Sequence, residues 1–171
     1  MGVIMTHIYS FSPVSRKDSR VLILGTMPGK ESLIKNEYYA NPRNSFWRVI
    51  GTILSIDAKI SYSDRKTALL NQGIALWDVL MTCTRDSSLD SDIVETSIIC
   101  NDFIKFFASH PNIHKIFFNG AKAEILYAKH ILPNLSDQHR RVSHIRLPST
   151  SPANAGKTLN DKISEWRVIV I

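Results

Sequence analysis

The chain has little cysteine and no long apolar run, and these two absences exclude several classes of protein. Only Cys83 and Cys100 are present, with no CxxC pair, so one chain cannot build a four-cysteine zinc or iron–sulfur site. No segment approaches the run of about 18 apolar residues expected of a membrane helix. His110 and His114 have helical metal spacing, but Pro111 between them would break the helix. We therefore expect two reduced thiols in or near the core and no metal site.

The composition is that of an ordinary globular protein, with a basic balance. The chain has 171 residues, 44% hydrophobic and 21% charged, and shows no linker, repeat or low-complexity tract, which predicts one domain over 1–171. A net charge of +6 and a pI of about 9.4 favour a polyanionic partner, although a soluble protein can be basic without one. Positive groups concentrate between His139 and Arg146, where the alternative interpretation is a solvated edge strand.

Apolar runs alternate with segments of helical periodicity along the chain. The predicted strands are Arg20–Gly25, Ile74–Leu80, Lys115–Asn119 and Val142–Leu147. The predicted helices are Ser45–Ile56, Ser63–Gln72, a helix from Asn101 or Asp102 to about Ser109, and Ala121–Ile131. Thr82–Asp92 is predicted as a polar loop, and the segment from Asn160 to Ile171 is ambiguous between helix and strand. This alternation predicts an α/β fold, a three-layer α/β/α sandwich around a mostly parallel four-stranded sheet.

Three turn-forming segments follow predicted strands at their carboxyl ends. They are Gly25–Gly29, Asn119-Gly120 and Pro148–Ala155. Each alone is also consistent with a plain turn or connection. Because ligands of open α/β sheets bind beyond the carboxyl ends of the strands, the three together predict one shared cleft.

A segment rich in aromatic rings and carboxamides, Tyr38–Trp47, follows the first of these turns. Aromatic side chains stack on flat rings, and amides both donate to and accept from a polar edge. The segment therefore predicts a pocket for a flat, polar, uncharged ring.

Gly25–Gly29 and Tyr38–Trp47 together resemble the first motif of the uracil-DNA glycosylase superfamily, most of all that of its hypoxanthine-DNA (deoxyinosine) glycosylase branch. Three further regions fit that branch: Gly73–Leu80 with Ser88–Ser91, Ile116–Gly120, and Leu147–Asn154. The resemblance runs from about Val21 to Trp166.

The resemblance implies a monofunctional DNA glycosylase of base excision repair that hydrolyses the N-glycosidic bond of deaminated bases, hypoxanthine in preference. The nucleotide would be flipped into the pocket, and water would attack C1′. It implies DNA as the partner, a monomer, and no metal or cofactor. Two alternatives stay open: a mismatch-type uracil-DNA glycosylase, and a non-catalytic nucleic-acid-binding module that kept the pocket.

The resemblance also implies roles for residues of the first motif. Met27 stands where many superfamily members have Asp or Asn, and a thioether can neither position nor activate water. The hypoxanthine branch relies on a later carboxamide, which implies Asn44 as the catalytic residue with Asn41 second. Asn44 would orient water and stabilise the cationic sugar. The alternative role for Asn44 is the N-cap of the following helix.

The resemblance also implies which residues bind the base and which bind DNA. Tyr39 is expected to stack on the flipped base, and the alternative is ordinary core packing. Asn119 is expected to bind the polar edge of the base, where hypoxanthine and uracil both present an acceptor oxygen and a donor N–H. The backbone N–H groups of Thr26 and Met27 are expected to face the leaving base. The Pro148–Ala155 loop corresponds to the loop that enters the minor groove, although it lacks the His and the bulky wedge of related enzymes. The expected DNA contacts are Arg43, Arg146, Ser149, Thr150, Ser151, Pro152, Ala153, Asn154 and Lys157.

The first residues, Met1–Thr6, lack the charged start and long apolar core of a signal peptide. We therefore expect a cytoplasmic location, associated with the nucleoid if the source is prokaryotic.

Overall fold

The computed structural model describes residues 6–57 and 59–170. The interpretation of the first five residues, and the end of the last segment at Ile171, lie outside these ranges. The strands are β1 (His7–Tyr9), β2 (Val21–Gly25), β3 (Ile74–Asp78), β4 (Leu80–Thr84), β5 (Ile99–Cys100), β6 (Lys115–Asn119) and β7 (Ser143–Leu147). The helices are α1 (Lys30–Lys35), α2 (Phe46–Leu54), α3 (Tyr62–Asn71), α4 (Phe103–Ser109), α5 (Ala121–His130), α6 (Asp137–Arg140) and α7 (Leu159–Trp166).

Four strands form the central sheet in the order β3-β2-β6-β7, and all neighbours are parallel. Every residue of β2 and β3 is buried, as expected of strands covered on both faces. The register pairs Gly25 with Asp78 and Asn119 with Leu147. The carboxyl ends of all four strands therefore meet at one edge of the sheet.

Helices cover both faces of this sheet and bury two apolar clusters. One cluster packs Phe103 of α4 and Tyr127 of α5 against the sheet, and the other packs Phe46 of α2 and Trp166 of α7 against the opposite face. The predicted three-layer α/β/α sandwich with a parallel four-stranded sheet is confirmed. None of the helices in the described ranges is long and apolar enough to cross a membrane.

A second, antiparallel sheet of order β1-β4-β5 was not predicted. The prediction of one strand over Ile74–Leu80 is wrong, because β3 ends at Asp78 and the chain enters the second sheet at Leu80. The prediction of a polar loop over Thr82–Asp92 is wrong in its first residues. Thr82 is buried there between β1 and β5, and its hydroxyl donates a hydrogen bond to the carbonyl of Ile8 (2.7 Å).

The ambiguous C-terminal segment forms a helix followed by a 3-10 turn, Arg167–Ile169. Thr158 and Asp161 form a reciprocal capping box at the start of α7, which fixes where that helix begins. The short helix α1 was also not predicted. Gly73 follows the C-cap residue of α3, Gln72, with a φ of +73° that favours glycine.

Candidate active site

A cleft of about 740 Å³ lies at the carboxyl edge of the central sheet. This volume falls in the range of small-molecule sites. Its walls are formed by residues from 25–32, 38–44, 88–91 and 149–154, together with Asp78 and Asn119. The three turns that the sequence assigned to one cleft therefore converge, and the aromatic and carboxamide segment joins them.

Thr150 ties three of these segments together. Its N–H donates to Asn119 Oδ1 (2.9 Å), and its hydroxyl accepts from Asn119 Nδ2 (2.8 Å). Its carbonyl accepts from both the N–H (3.0 Å) and the hydroxyl (3.2 Å) of Ser45. Thr150 is only 1% exposed, so it holds the cleft together from inside the protein. Asn119 lines the cleft, but both ends of its amide bind Thr150, and its reading of a base edge stays a prediction.

The rest of the 148–154 loop is braced from behind. Trp166 Nε1 donates to the carbonyl of Pro148 (2.9 Å), and Lys162 Nζ donates to the carbonyl of Asn154 (3.2 Å). The Asn154 amide in turn donates to the carbonyl of Ser149 (3.0 Å). Pro152 and Ala153 remain exposed at the rim of the cleft. The loop therefore presents a short, fixed rim rather than a long side chain.

Both predicted catalytic carboxamides line the cleft. Asn44 Oδ1 accepts from the N–H of Phe46, two residues further along the chain (2.9 Å), in an Asx turn that precedes α2. The N-cap of α2 is Ser45, so the alternative prediction of Asn44 as the N-cap is wrong. Asn41 Oδ1 accepts from the N–H of Arg43 in the same way (2.9 Å). In each case the carbonyl end of the amide is fixed by the backbone. Within the described ranges, the Nδ2 end of Asn44 has no hydrogen-bond partner.

One face of the Tyr39 ring packs against another aromatic side chain of the protein. Its φ is +55°, a rare backbone conformation for an aromatic residue. The ring stacks on Phe46 with centroids 4.0 Å apart and planes 21° apart. Its hydroxyl is buried with no hydrogen-bond partner among the described residues. Tyr38, in contrast, is core: it is 3% exposed and its hydroxyl donates to the carbonyl of Ser12 (3.0 Å).

Asp78 is a site residue to which the sequence analysis gave no role. It ends β3, lines the cleft and is 3% exposed, and its Oδ2 has no partner among the described residues. A Cβ on Gly25 would meet Asp78 Oδ1 at 2.5 Å and the Tyr39 hydroxyl at 2.7 Å, so only glycine leaves room for both groups. Burial and the charge of Asp90, partly offset by Arg85, raise the pKa of Asp78 to about 8. The sequence signal that could have identified Asp78 is a single acidic residue at the end of an apolar strand.

A buried arginine connects two walls of the cleft. The Arg85 guanidinium lies 3.6 Å from Asp90 Oδ1 and donates to the carbonyl of Pro28. Burial raises the pKa of Asp90, although the Thr26 hydroxyl and Arg85 both oppose that shift. Met27 is 7% exposed and packs in the core, which is consistent with a side chain that does not position the attacking water.

The predicted DNA-binding cations lie at different distances from the cleft. Arg43 is exposed and lines the cleft itself. Arg146 and Lys157 lie around a second depression on the other side of the 148–154 loop, paired with Glu124 and Glu165 respectively. A phosphate would have to compete with these carboxylates.

Comparison with known proteins agrees with this architecture. The family model of the uracil DNA glycosylase superfamily matches residues 12–169. A hypoxanthine DNA glycosylase of Methanosarcina barkeri is 38% identical over 114 residues, which are 66% of this chain and 71% of that protein. A hypoxanthine DNA glycosylase of Methanosarcina acetivorans is 36% identical over 145 residues, 80% of this chain and 90% of that protein.

A solved structure gives the same result for the whole fold. The solution NMR structure of a candidate uracil DNA glycosylase from Methanosarcina acetivorans superposes with a TM-score of 0.79 at 33% identity. The superposition covers 96% of this chain and 97% of that one. With the family model matching most of its length, the chain belongs to the uracil DNA glycosylase superfamily.

Proposed function

We propose that this DNA glycosylase removes hypoxanthine from DNA, as the first step of base excision repair. A glycosidic bond inside a duplex is out of reach, so the deoxyinosine is flipped into the cleft. The bond to C1′ then breaks through an oxocarbenium-like sugar, and water takes the place of the base. The products are free hypoxanthine and an abasic site in an uncut strand.

The observation that carries this proposal is the meeting of Tyr39, Asn44 and Asp78 in one cleft of about 740 Å³. One face of the Tyr39 ring packs on Phe46, and Tyr39 lines the cleft, where we propose that its other face receives the base. Stacking of this kind contributes about 1–3 kcal/mol per base. Two relatives that are 36% and 38% identical are named hypoxanthine DNA glycosylases, which supports hypoxanthine ahead of uracil.

Asn44 is the proposed catalytic residue, with Asn41 second. An amide is no general base at neutral pH, but it orients the attacking water and stabilises positive charge on the sugar. The backbone N–H groups of Thr26 and Met27 are proposed to stabilise negative charge on the departing base. Arg43 is the cation best placed for the DNA backbone, because it lies exposed at the cleft.

The test is base release from matched oligonucleotides that carry one deoxyinosine, one deoxyuridine or one deoxyxanthosine, followed by alkaline cleavage of the abasic sites. The proposal predicts the fastest release from deoxyinosine. Release from deoxyuridine alone would keep the chemistry and replace the substrate, because uracil presents the same donor and acceptor edge. Binding of all three duplexes without any release would favour the non-catalytic module.

A further inference from the structure

Asp78 is the most unusual polar group of the cleft. Buried carboxyl groups are ordinarily hydrogen-bonded, because leaving one without a partner is costly. Asp78 is 3% exposed, yet none of the described residues donates a hydrogen bond to it. It is not enclosed, however, because it lines the cleft beside the Tyr39 hydroxyl. A molecule bound in the cleft can therefore supply the hydrogen-bond partner that this carboxyl group lacks.

The amide of Asn119 is partly used by the scaffold. It gives one N–H and its Oδ1 to Thr150. Asp78 Oδ2 and the Tyr39 hydroxyl, in contrast, are buried cleft atoms with no hydrogen-bond partner in the part of the chain that the structure describes. Of these two, the carboxyl group is the one that can exchange a proton near neutral pH, because burial raises the pKa of Asp78 to about 8 and raises that of Tyr39 further above its usual value.

We propose that Asp78 acts in its neutral form as the acid that protonates the departing base. This inference rests on the proposed function of the same cleft and adds a second catalytic group beside Asn44. A neutral carboxyl group first donates a hydrogen bond to an acceptor atom of the flipped hypoxanthine, either a ring nitrogen or O6. It then transfers that proton as the base leaves.

The step is balanced without any further reactant. The bond between C1′ and N9 breaks, and its electron pair stays with the base. The Asp78 proton goes to the base, which departs as neutral hypoxanthine. Water adds to C1′ and loses one proton, which restores the neutral carboxyl group. The sum is deoxyinosine plus water giving an abasic sugar plus hypoxanthine.

The electrostatics around Asp78 favour the neutral form. The titratable groups that act on it or feel its charge are Asp90, Arg85, Tyr38, Tyr39 and Tyr62. Asp90 repels a negative charge on Asp78, and Arg85 attracts one, but burial outweighs both and raises the pKa of Asp78 to about 8. Because the pKa of the carboxyl group is raised, its proton is present at pH 7 and is lost as the pH rises through about 8.

The experiment is single-turnover release of hypoxanthine from a deoxyinosine duplex between about pH 5.5 and pH 9.5. Four proteins are compared: the unaltered chain, Asp78→Asn, Asp90→Asn, and Asp18→Asn as an exposed control of the same chemistry. The unaltered chain and Asp18→Asn should lose rate above about pH 8. Asp78→Asn should be about 100-fold slower at pH 7, and its residual rate should not fall above pH 8, because an amide has no proton to lose. Asp90→Asn should move the decline to lower pH, since Asp90 helps to keep the carboxyl group neutral.

Two results would overturn the inference. One is a full rate in Asp78→Asn, and the other is the same decline above pH 8 in that variant, which would place the titrating group elsewhere. If Asp78→Asn does not fold, an unmoved decline in Asp90→Asn contradicts the inference by itself. Inactivity of the unaltered chain on deoxyinosine, deoxyuridine and deoxyxanthosine would instead overturn the proposed function, and is recognised without any variant.

Discussion

The polar groups on the two sides of the cleft differ in their hydrogen bonding. On the side formed by Ser45, Asn119 and Thr150, which we call the scaffold wall, the amide and hydroxyl groups are paired within the protein. On the side formed by Gly25, Tyr39 and Asp78, which we call the open wall, a hydroxyl and a carboxyl oxygen are buried without partners among residues 6–57 and 59–170. The paired groups hold loops together, whereas the unpaired groups are available to a ligand.

The difference has an energetic meaning. A buried polar group without a partner costs about 1–3 kcal/mol, so a chain selected for stability alone would fill or remove it. Gly25 keeps the space that both unpaired groups occupy, which shows that the arrangement depends on this glycine. Strained and unsatisfied groups of this kind cluster at functional sites.

The largest expected effect is at Asn44, where a turn-forming contact and the proposed catalytic role fall on one side chain. Asn44→Ala should slow release of hypoxanthine by about 100-fold or more, because it removes the group that orients water. Asn44→Ser is the matched control, since a serine hydroxyl can accept from the N–H of Phe46 in the same kind of turn. Single-turnover rates and thermal melting separate the two roles: equal rates in Asn44→Ser and the unaltered chain would leave Asn44 with its turn contact alone.

The second prediction concerns Gly25, whose missing side chain leaves space on the open wall. Gly25→Ala places a methyl group within 2.5 Å of Asp78 Oδ1 and 2.7 Å of the Tyr39 hydroxyl, so one of the two must move. We expect a loss of activity of about 100-fold, the size seen when reacting groups shift by about 1 Å. Gly156→Ala is the control, because no atom of the described residues lies within 4 Å of its added carbon. Equal activity of both variants would mean that the open wall has no part in catalysis.

The third prediction separates the ring of Tyr39 from its hydroxyl. Tyr39→Leu removes the stacking surface and should weaken binding of the flipped base by about 1–3 kcal/mol, measured as an increase in the Kd for deoxyinosine DNA. Tyr39→Phe keeps the ring and deletes an unpaired hydroxyl, so it should melt at the same temperature or higher. Weaker binding in Tyr39→Phe as in Tyr39→Leu would assign the contact to the hydroxyl and contradict the stacking role.

The smallest expected effect on chemistry is on the scaffold wall. Thr150→Val removes the acceptor of the Asn119 amide and should reduce the free energy of unfolding by about 1–3 kcal/mol in urea titrations. Thr150→Ser keeps the hydroxyl group and should lose much less. A Thr150→Val protein as stable as the unaltered chain would show that this pairing is not a structural tie.

The sequence predicted the central sheet well because β2, β3 and β6 contain runs of three or four apolar residues, and because glycine or proline turns follow β2, β6 and β7. Val21–Gly25 and Lys115–Asn119 are of this kind, and the meeting of their loops follows from parallel topology alone. The second sheet was missed because β1 and β5 have only three and two residues, and because the hydroxyl of Thr82 in β4 is paired with the distant carbonyl of Ile8. A hydrogen bond between residues so far apart in the chain leaves no local signal in the sequence.

The candidate site was predictable in composition but not in its pairings. Tyr39, Asn41, Asn44 and Asn119 do line the cleft. The commitment of Asn119 to Thr150 depends on a contact across 31 positions of the chain. The isolation of Asp78 likewise depends on the close approach of Gly25 and Tyr39 in three dimensions.

The contrast between the walls is tested most directly by titrating the Asp78 carboxyl group itself. In a chain labelled with carbon-13 at the aspartate carboxyl groups, the Asp78 resonance is identified by its absence from Asp78→Asn and followed with pH by NMR. A buried, unpaired carboxyl group predicts a midpoint near pH 8, with the neutral form present at pH 7. A midpoint near 3.8, the ordinary value for aspartate, would contradict the account, because it would mean that water or a protein donor already stabilises the charge.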